Sequence, residues 1–241
     1  MRSVVKLLNR NVKTLVEKIQ DKKLRNRVIE LLENPTFEIE GKKYSGLPLE
    51  VSPGGLSNHH CYPGGYIEHV ASTANIALAM CNSIEKVYHG KVNHDLVIAG
   101  VLLHDIFKPI TYAVNERGGY GSTGLADYMD HLSIVISELV RRGFSLDVVH
   151  IVSAHHGAYG PIRPHTVEAL VCHLADLIDS RLNGEILSAA RYLTRKAVGE
   201  ELLGLTSKEA FEIIHSKSIE SWKGVAKTIE KLKRKKETRK A

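Results

Sequence analysis

The sequence predicts an all-α protein: a helical bundle with a small β-hairpin insertion and flanking N- and C-terminal helices. Three observations lead there. Apolar residues recur at helical spacing along most of the 241 residues, strand-like alternation is confined to two short stretches, and twelve of the thirteen histidines lie between His59 and His173, spread over separate helical segments. With 43% hydrophobic and 25% charged residues, a chain of this length buries a core without disulfide staples.

Val4, Leu7, Leu8, Val12, Leu15, Val16 and Ile19 share one helical face, and Leu24, Val28, Leu31 and Leu32 another, until Asn34-Pro35 stops the second helix. Phe37 to Tyr44 alternates around Glu40-Gly41, the pattern of a small hairpin. Pro53-Gly54-Gly55 and Pro63-Gly64-Gly65 bracket an irregular loop that holds His59, His60 and Cys61. Helices are expected over about 66–88, 94–107, 124–142, 145–157, 166–183, 185–198 and 207–235, with starting signals at Asn93, Ser145 with Asp147, and Ser207 with Glu209. Ile110 to Val114, then Asn115 to Gly119 and Tyr120, read as a second hairpin or flap.

The net charge of +6 and pI near 9.1 suggest a polyanion partner until the charge is located. Residues 223–241 carry nine Lys/Arg against Glu230 and Glu237, so the tail is +7 and the body close to neutral. Cys61, Cys81 and Cys172 are too few and too scattered for a disulfide framework or a structural zinc site, which suits a reducing cytoplasm. The apolar run Leu96 to Leu103 is far short of a membrane span, and Met1-Arg2-Ser3 leads into an amphipathic segment, so no membrane partner and no signal peptide are expected.

His69, His104-Asp105, His131, His155-His156 and Asp176 each fall in or at the end of a different expected helix. A bundle can aim one side chain from each of several helices at a common centre, and imidazoles with carboxylates suit a catalytic first-row metal such as iron or manganese. A His-Asp dipeptide alone says little, and the chain has two. His94-Asp95 sits at a helix start, where the carboxylate favours the helix dipole, and is expected to be structural; His104-Asp105 ends a buried stretch beside a loop. Taken singly, His131 next to Asp130 reads equally as a hydrogen-bonded surface histidine, and His155-His156 as a helix end before Gly157. Asp176, among apolar neighbours on a helix expected to be buried, needs a partner; Asp179 and Arg181 read as an exposed or supporting pair.

The order His69, His104-Asp105, His131, His155-His156, Asp176 resembles the HD-domain metal-dependent phosphohydrolases, in the subgroup with extra histidines and two metals. The resemblance covers roughly residues 57–183, making 51–183 the HD domain between an N-terminal helical arm (1–50) and C-terminal helices with a basic tail (184–241). Asn58-His59-His60-Cys61-Tyr62 with Gly64-Gly65-Tyr66-Ile67-Glu68-His69, and Ser153-Ala154-His155-His156-Gly157 with Gly160-Pro161-Ile162-Arg163-Pro164, are similar to the HD half of YhaM-type 3'-5' exoribonucleases. Those enzymes also carry an RNA-gripping OB-fold, and nothing here is strand-rich enough to be one. A stand-alone HD chain of this size is also similar to the iron-dependent phosphodiesterases of methanopterin biosynthesis that open 7,8-dihydroneopterin 2',3'-cyclic phosphate. The dinuclear families commonly have Gly before the Lys of the motif, where this chain has Phe107 before Lys108.

The resemblance implies two divalent transition metal ions, Fe2+ first and Mn2+ second. His69, His104, Asp105 and Asp176 would hold one, and Asp105 would bridge to another held by His131 and His155 or His156. Two metals sharing a water lower its pKa from about 15.7 towards neutrality, giving a hydroxide that attacks phosphorus. Lys108 and Arg163 are candidates for gripping the phosphate; His59 and His60 would contact substrate, protonate the leaving oxygen or brace the ligands. Tyr112 and Tyr120 on the flap could stack on a flat ring. The expected substrate is a small-molecule phosphate ester, above all a small cyclic phosphodiester; an exoribonuclease or other nucleotide phosphohydrolase is the alternative. A nucleotide-sensing or RNA-binding module is the rival outside enzymes. A homo-oligomer through the N-terminal helices is conceivable, although packing on their own domain explains the same apolar faces.

Overall fold

A computed structural model describes residues 9–116 and 119–238. Val4, Leu7 and Leu8, and the Arg117-Gly118 tip of the expected flap, lie outside the described residues. The chain is helical almost throughout, with two small antiparallel hairpins, as expected.

The helices α1 (Arg10–Glu17) and α2 (Lys22–Glu33) pack their apolar faces, Val12, Leu15 and Val16 on one and Val28, Leu31 and Leu32 on the other, into the main core. Their connection is clamped by Asp95, which accepts from the backbone amides of Gln20 (2.8 Å) and Asp21 (2.7 Å), so the first His-Asp pair is structural. The first hairpin, β1 (Thr36–Ile39) and β2 (Lys42–Ser45), turns at Glu40-Gly41, and Phe37 stacks on Tyr44.

The centre of the fold is α4 (His94–Leu103), buried from Val97 to Leu103. A helix apolar on all sides has no solvated face, and it is enclosed by α2, α3 (Gly65–Val87), α7 (Leu146–Ser153) and α8 (Val167–Val198). Each of its large side chains contributes roughly 1.5–3 kcal/mol of burial. The expected helix over 94–107 ends instead at Leu103. Residues 104–107 form turns before the short α5 (Lys108–Thr111), whose second residue is Pro109. That early end exposes His104 and Asp105 to the middle of the bundle.

Five other boundaries differ from expectation, one of them that the helix expected over 145–157 ends at Ser153. Ile110 and Thr111 belong to α5, so the second hairpin is only β3 (Tyr112–Val114) and β4 (Tyr120–Ser122). The 124–142 segment divides into a 3-10 turn and α6 (His131–Arg141), because Asp130 caps α6 by accepting from the Ser133 amide at 2.7 Å. The segments expected over 166–183 and 185–198 are one helix, α8, that passes through Gly184 without a break. The last helix, α9 (Ser207–Thr238), is interrupted at Glu220 and Ser221, where Ser221 has φ 55°. Ser216, Ser218 and Ser221 make this stretch a weak helix former. Trp222 is 43% exposed; Val225, Ile229 and Leu232 pack with Leu187, Ala190, Leu205, Ala210 and Ile213 in a second core. No helix of the described residues is long and apolar enough to cross a membrane.

Glu138 on α6 is buried and held by two arginines: Arg141 donates twice (2.8 and 2.5 Å) and Arg142 once (2.9 Å), while Arg142 also reaches the Thr36 carbonyl of the hairpin. Burial alone would raise its pKa, but the guanidinium groups outweigh that and lower it. A depressed carboxylate stabilises the fold above its unfolded pKa, and that contribution fades as pH falls through the folded value. Glu138→Gln is therefore expected to destabilise the chain by about 2 kcal/mol at pH 7, with the gap to wild type closing in acid, as measured by urea denaturation at several pH values.

Candidate metal centre

His69 comes from the first turns of α3, His104 and Asp105 from the end of α4, His131 from the first residue of α6, His155 and His156 from the turn after α7, and Asp176 from α8. The fold brings all seven together. Two local features make this possible. Gly65 lets the 53–62 loop lie against the start of α3, since a Cβ there would sit 2.1 Å from the His60 carbonyl; Gly157, at φ +57°, abuts the His173 ring and turns the chain just after His156.

Asp105 sits between two sets of donors. Its Oδ2 is 3.4 Å from His69 Nε2 and 3.3 Å from His104 Nε2, and Asp176 Oδ1 is 3.2 Å from His69 Nε2. Its Oδ1 is 3.4 Å from His131 Nε2 and 3.7 Å from His155 Nε2. The outer nitrogens of three rings are already engaged: His69 Nδ1 bonds Asp179 at 2.7 Å, His104 Nδ1 the Val101 carbonyl at 2.8 Å, and His155 Nδ1 the Val152 carbonyl at 2.6 Å. Those partners are acceptors, so each Nδ1 is the N–H and, in the neutral ring, each Nε2 points a lone pair inward.

With those rings neutral, lone pairs and carboxylate oxygens converge on one another. Asp105 Oδ1, His131 Nε2 and His155 Nε2 are buried without a hydrogen-bond partner. Orphaned acceptors of this kind are what a cation would satisfy. Among the described residues, His69, His104 and Asp176 form one group able to hold a metal, and His131, His155 and His156 another. The donor set fits a first-row divalent ion at each position, with Asp105 placed to serve both.

The electrostatics divide at Asp105. Burial opposes charge on every ring, but at His69 the carboxylates of Asp105, Asp176 and Asp179 outweigh it and hold the imidazolium well above its ordinary range, and His104 is raised to about 9 in the same way. On the far side burial prevails: His131 is lowered to about 4, and His155 is held well below its ordinary range. Asp105 and Asp176 stay well below the usual carboxylate range despite burial, the first through Lys108 and His104, the second through His104 and His69.

Lys108 Nζ lies 2.5 Å from Asp105 Oδ2, so the residue read as a phosphate grip is also the counter-charge of the central carboxylate. His59 and His60 stand at the α3 side, with His59 Nδ1 3.2 Å from His60 Nδ1. Burial lowers them to about 4 and about 3. Together with His69 they make a further group of close donors. Arg163 is not gathered in: it is exposed on the loop before α8 and makes no hydrogen bond or ion pair among the described residues. Tyr120 donates to the Val51 carbonyl at 3.0 Å, pinning the flap to the 53–62 side.

Asp179 was read as exposed or supporting; it is 3% exposed and orients His69, whereas Arg181 is exposed and does not pair with it. The expected apolar burial around Asp176 is also corrected, since Leu177 and Ile178 are 37% and 45% exposed. Asn183 escaped the sequence reading. Its Oδ1 accepts from the His60 amide at 2.7 Å and its Nδ2 donates to Ser207 Oγ at 2.6 Å, tying the histidine loop to α9. The signal was present: Asp176, Asp179 and Asn183 stand at i, i+3 and i+7, a polar stripe on one face of α8.

Residues 66–181 match the HD domain family. The chain is 38% identical to the dihydroneopterin 2',3'-cyclic phosphate phosphodiesterase of Methanocaldococcus jannaschii, over 91% of this chain and 86% of that protein. It is also 29% identical to the 3'-5' exoribonuclease YhaM of Oceanobacillus iheyensis over 66% of this chain, and 30% identical to that of Bacillus subtilis over 54%; these alignments span about half of the exoribonucleases, 55% and 43%. No solved structure matches the chain. The chain belongs to the HD-domain family, and it is a hydrolase of the metal-dependent phosphohydrolase kind.

Asp179→Ala is expected to weaken metal binding about 10- to 100-fold while leaving the helical signal intact, because it removes the acceptor that fixes the His69 ring. Calorimetric titration with Mn2+, beside circular dichroism, measures both.

Proposed function

We propose that the chain is a phosphodiesterase that opens a small cyclic phosphodiester, 7,8-dihydroneopterin 2',3'-cyclic phosphate, using two divalent metals, Fe2+ or secondly Mn2+, in the cytoplasm. The observation that carries this reading is Asp105, a buried carboxylate with one oxygen turned to His69 and His104 and the other to His131 and His155. Only a carboxylate has two oxygens to offer to two ions, and the nearly full-length likeness to the phosphodiesterase of Methanocaldococcus jannaschii supports the substrate. The division into an arm (1–50), an HD domain (51–183) and C-terminal helices (184–241) belongs to this proposal, and the separate core around Leu187 and Val225 supports its last part.

Bound at these two positions, the metals would supply Lewis acidity towards the phosphoryl oxygens and a water of lowered pKa. The chain's residues supply the rest. Asp179 and the Val101 and Val152 carbonyls hold three imidazoles in the tautomer that turns Nε2 inward. Lys108 places an ammonium beside Asp105, where it can hold a non-bridging oxygen as a point charge; burial opposes its charge, but Asp105 keeps it protonated. Arg163 would reach the phosphate from its exposed loop as a planar fork. His59, half-buried at the edge, is better placed than His60 to meet substrate; His60, 1% exposed and 3.7 Å from Asp179, acts as a brace. Both rings are neutral near pH 7, so either would act through a neutral imidazole.

In metal analysis of protein purified anaerobically, wild type is expected to hold about two transition metals per chain. Asp105→Ala should lose metal and hydrolysis together. Full activity in the Asp105→Ala protein stripped of metal would sink the scheme. Incubation with the cyclic neopterin phosphate, 2',3'-cyclic nucleotides, generic diesters and short RNA oligomers decides the substrate class; processive shortening of RNA would favour the exoribonuclease reading.

A further inference from the structure

His60 has a backbone that its side chain disfavours: its φ is 46°, in the left-handed region that residues with a Cβ rarely occupy. Three contacts hold it there. Its amide donates to Asn183 Oδ1 at 2.7 Å, its carbonyl accepts from the Gly54 amide at 2.9 Å, and Gly65 leaves that carbonyl the room it needs. Gly54 belongs to the same loop, and Gly65 contributes by lacking a side chain. Of the three, Asn183 is the one that grips His60 from α8.

Asn183 is itself held. A backbone amide can only donate, which fixes Oδ1 towards His60 and turns Nδ2 away, to Ser207 Oγ at 2.6 Å. The Ser207 hydroxyl shares a further hydrogen bond of 2.5 Å with the Tyr62 hydroxyl, and Tyr62 packs in the second core with Leu187 and Leu205. The circuit thus closes from residue 60 through α8 and the first residue of α9 back to residue 62 of the same loop. Asn183 and Tyr62 are 5% and 1% exposed, so bulk water is not at hand to replace a lost partner. On the loop's other side, the His59 and His60 rings stand 5.2 and 5.3 Å from the His69 ring, centroid to centroid. Neither half of the circuit lies within residues 66–181, the part that matches the HD family.

We propose that Asn183 is a positioning residue of the enzyme: by accepting from the His60 amide it holds the loop in its left-handed turn and keeps the His59 and His60 rings beside His69. A left-handed backbone persists at a residue with a Cβ only while its surroundings enforce it, so the loop relaxes once the acceptor is removed. Rotation about one φ re-aims the rings on both sides of it, and His59 is the ring set to meet substrate. Asparagine suits the task because a short stem carries one acceptor for His60 and a donor for Ser207. The inference rests on the phosphodiesterase reading above and adds that α8 beyond Asp179 and the start of α9 complete the site.

The test uses the Mn2+-loaded full chain, with bis(p-nitrophenyl) phosphate as a generic diester, metal analysis and crystal structures of the variants. Asn183→Ala is expected to keep the metal content and helical signal of wild type and to lose about 10- to 100-fold in kcat/KM. Its structure should show His60 at negative φ with the His59 ring displaced. The loss should not exceed that of the chain carrying both His59→Ala and His60→Ala, since Asn183 acts only through those rings. Ser207→Ala frees the far end of the amide but leaves its acceptor, so a smaller loss in the same direction is expected. An Asn183→Ala structure with His60 still left-handed overturns the proposal whatever the rate, as does an unchanged kcat/KM or a loss beyond that of the doubly substituted chain. If Asn183→Ala does not fold, an unchanged kcat/KM in Ser207→Ala overturns it instead. A wild type inert towards both this diester and the cyclic neopterin phosphate overturns the phosphodiesterase reading, and the His60 backbone in the variant still decides whether Asn183 holds the loop.

Discussion

The burial of Asp105 is the constraint on which the rest of the structure depends. An ionised carboxylate removed from water is strongly disfavoured unless opposite charge and donors surround it, and this one is 1% exposed. Every element near it answers that demand. Lys108 comes from α5, His104 from the turn after α4, His69 from α3, His131 from α6 and His155 from beyond α7. The apolar α4 matters because it delivers the carboxylate to a place shielded from bulk solvent.

The supporting shell is as specific as the ligands. A histidine can present either nitrogen, and the choice here is made outside the cluster by Asp179 and by two helix-end carbonyls. Those carbonyls, Val101 and Val152, lie three residues before their histidines, at helix ends where C=O groups lack an intrahelical partner. Helix termination and ligand orientation are thus one event: ending α4 at Leu103 and α7 at Ser153 frees the acceptors that hold the rings.

Much of this was legible in the sequence. Helical spacing and the scarcity of strand patterns marked the fold class, and the ordered histidines marked the residues that converge. The boundaries were less legible where a tertiary contact overrode local pattern. Gly184 looked like a break, yet packing on both sides keeps α8 continuous; the stretch around Ser221 looked helical, yet it kinks. At the site, ligands announced themselves by residue type, whereas Asn183 works through its amide on the His60 backbone, and asparagine has many other uses. Arg163 shows the opposite difficulty, a residue of the right chemistry whose position no periodicity could fix.

The unbroken course of α8 has a mechanical consequence. A single rod of 32 residues carries Asp176 and Asp179 in its first half and Leu187, Ala190 and Thr194 in its second, where α9 packs. The two cores share a spine rather than a hinge. Loosening the C-terminal core therefore tugs on the carboxylates through the helix and on His60 through Asn183 and Ser207. Ions gripped at one end of the rod would stiffen the other, so amide hydrogen exchange in α9 should slow when metal is added, some distance from any atom the metal touches.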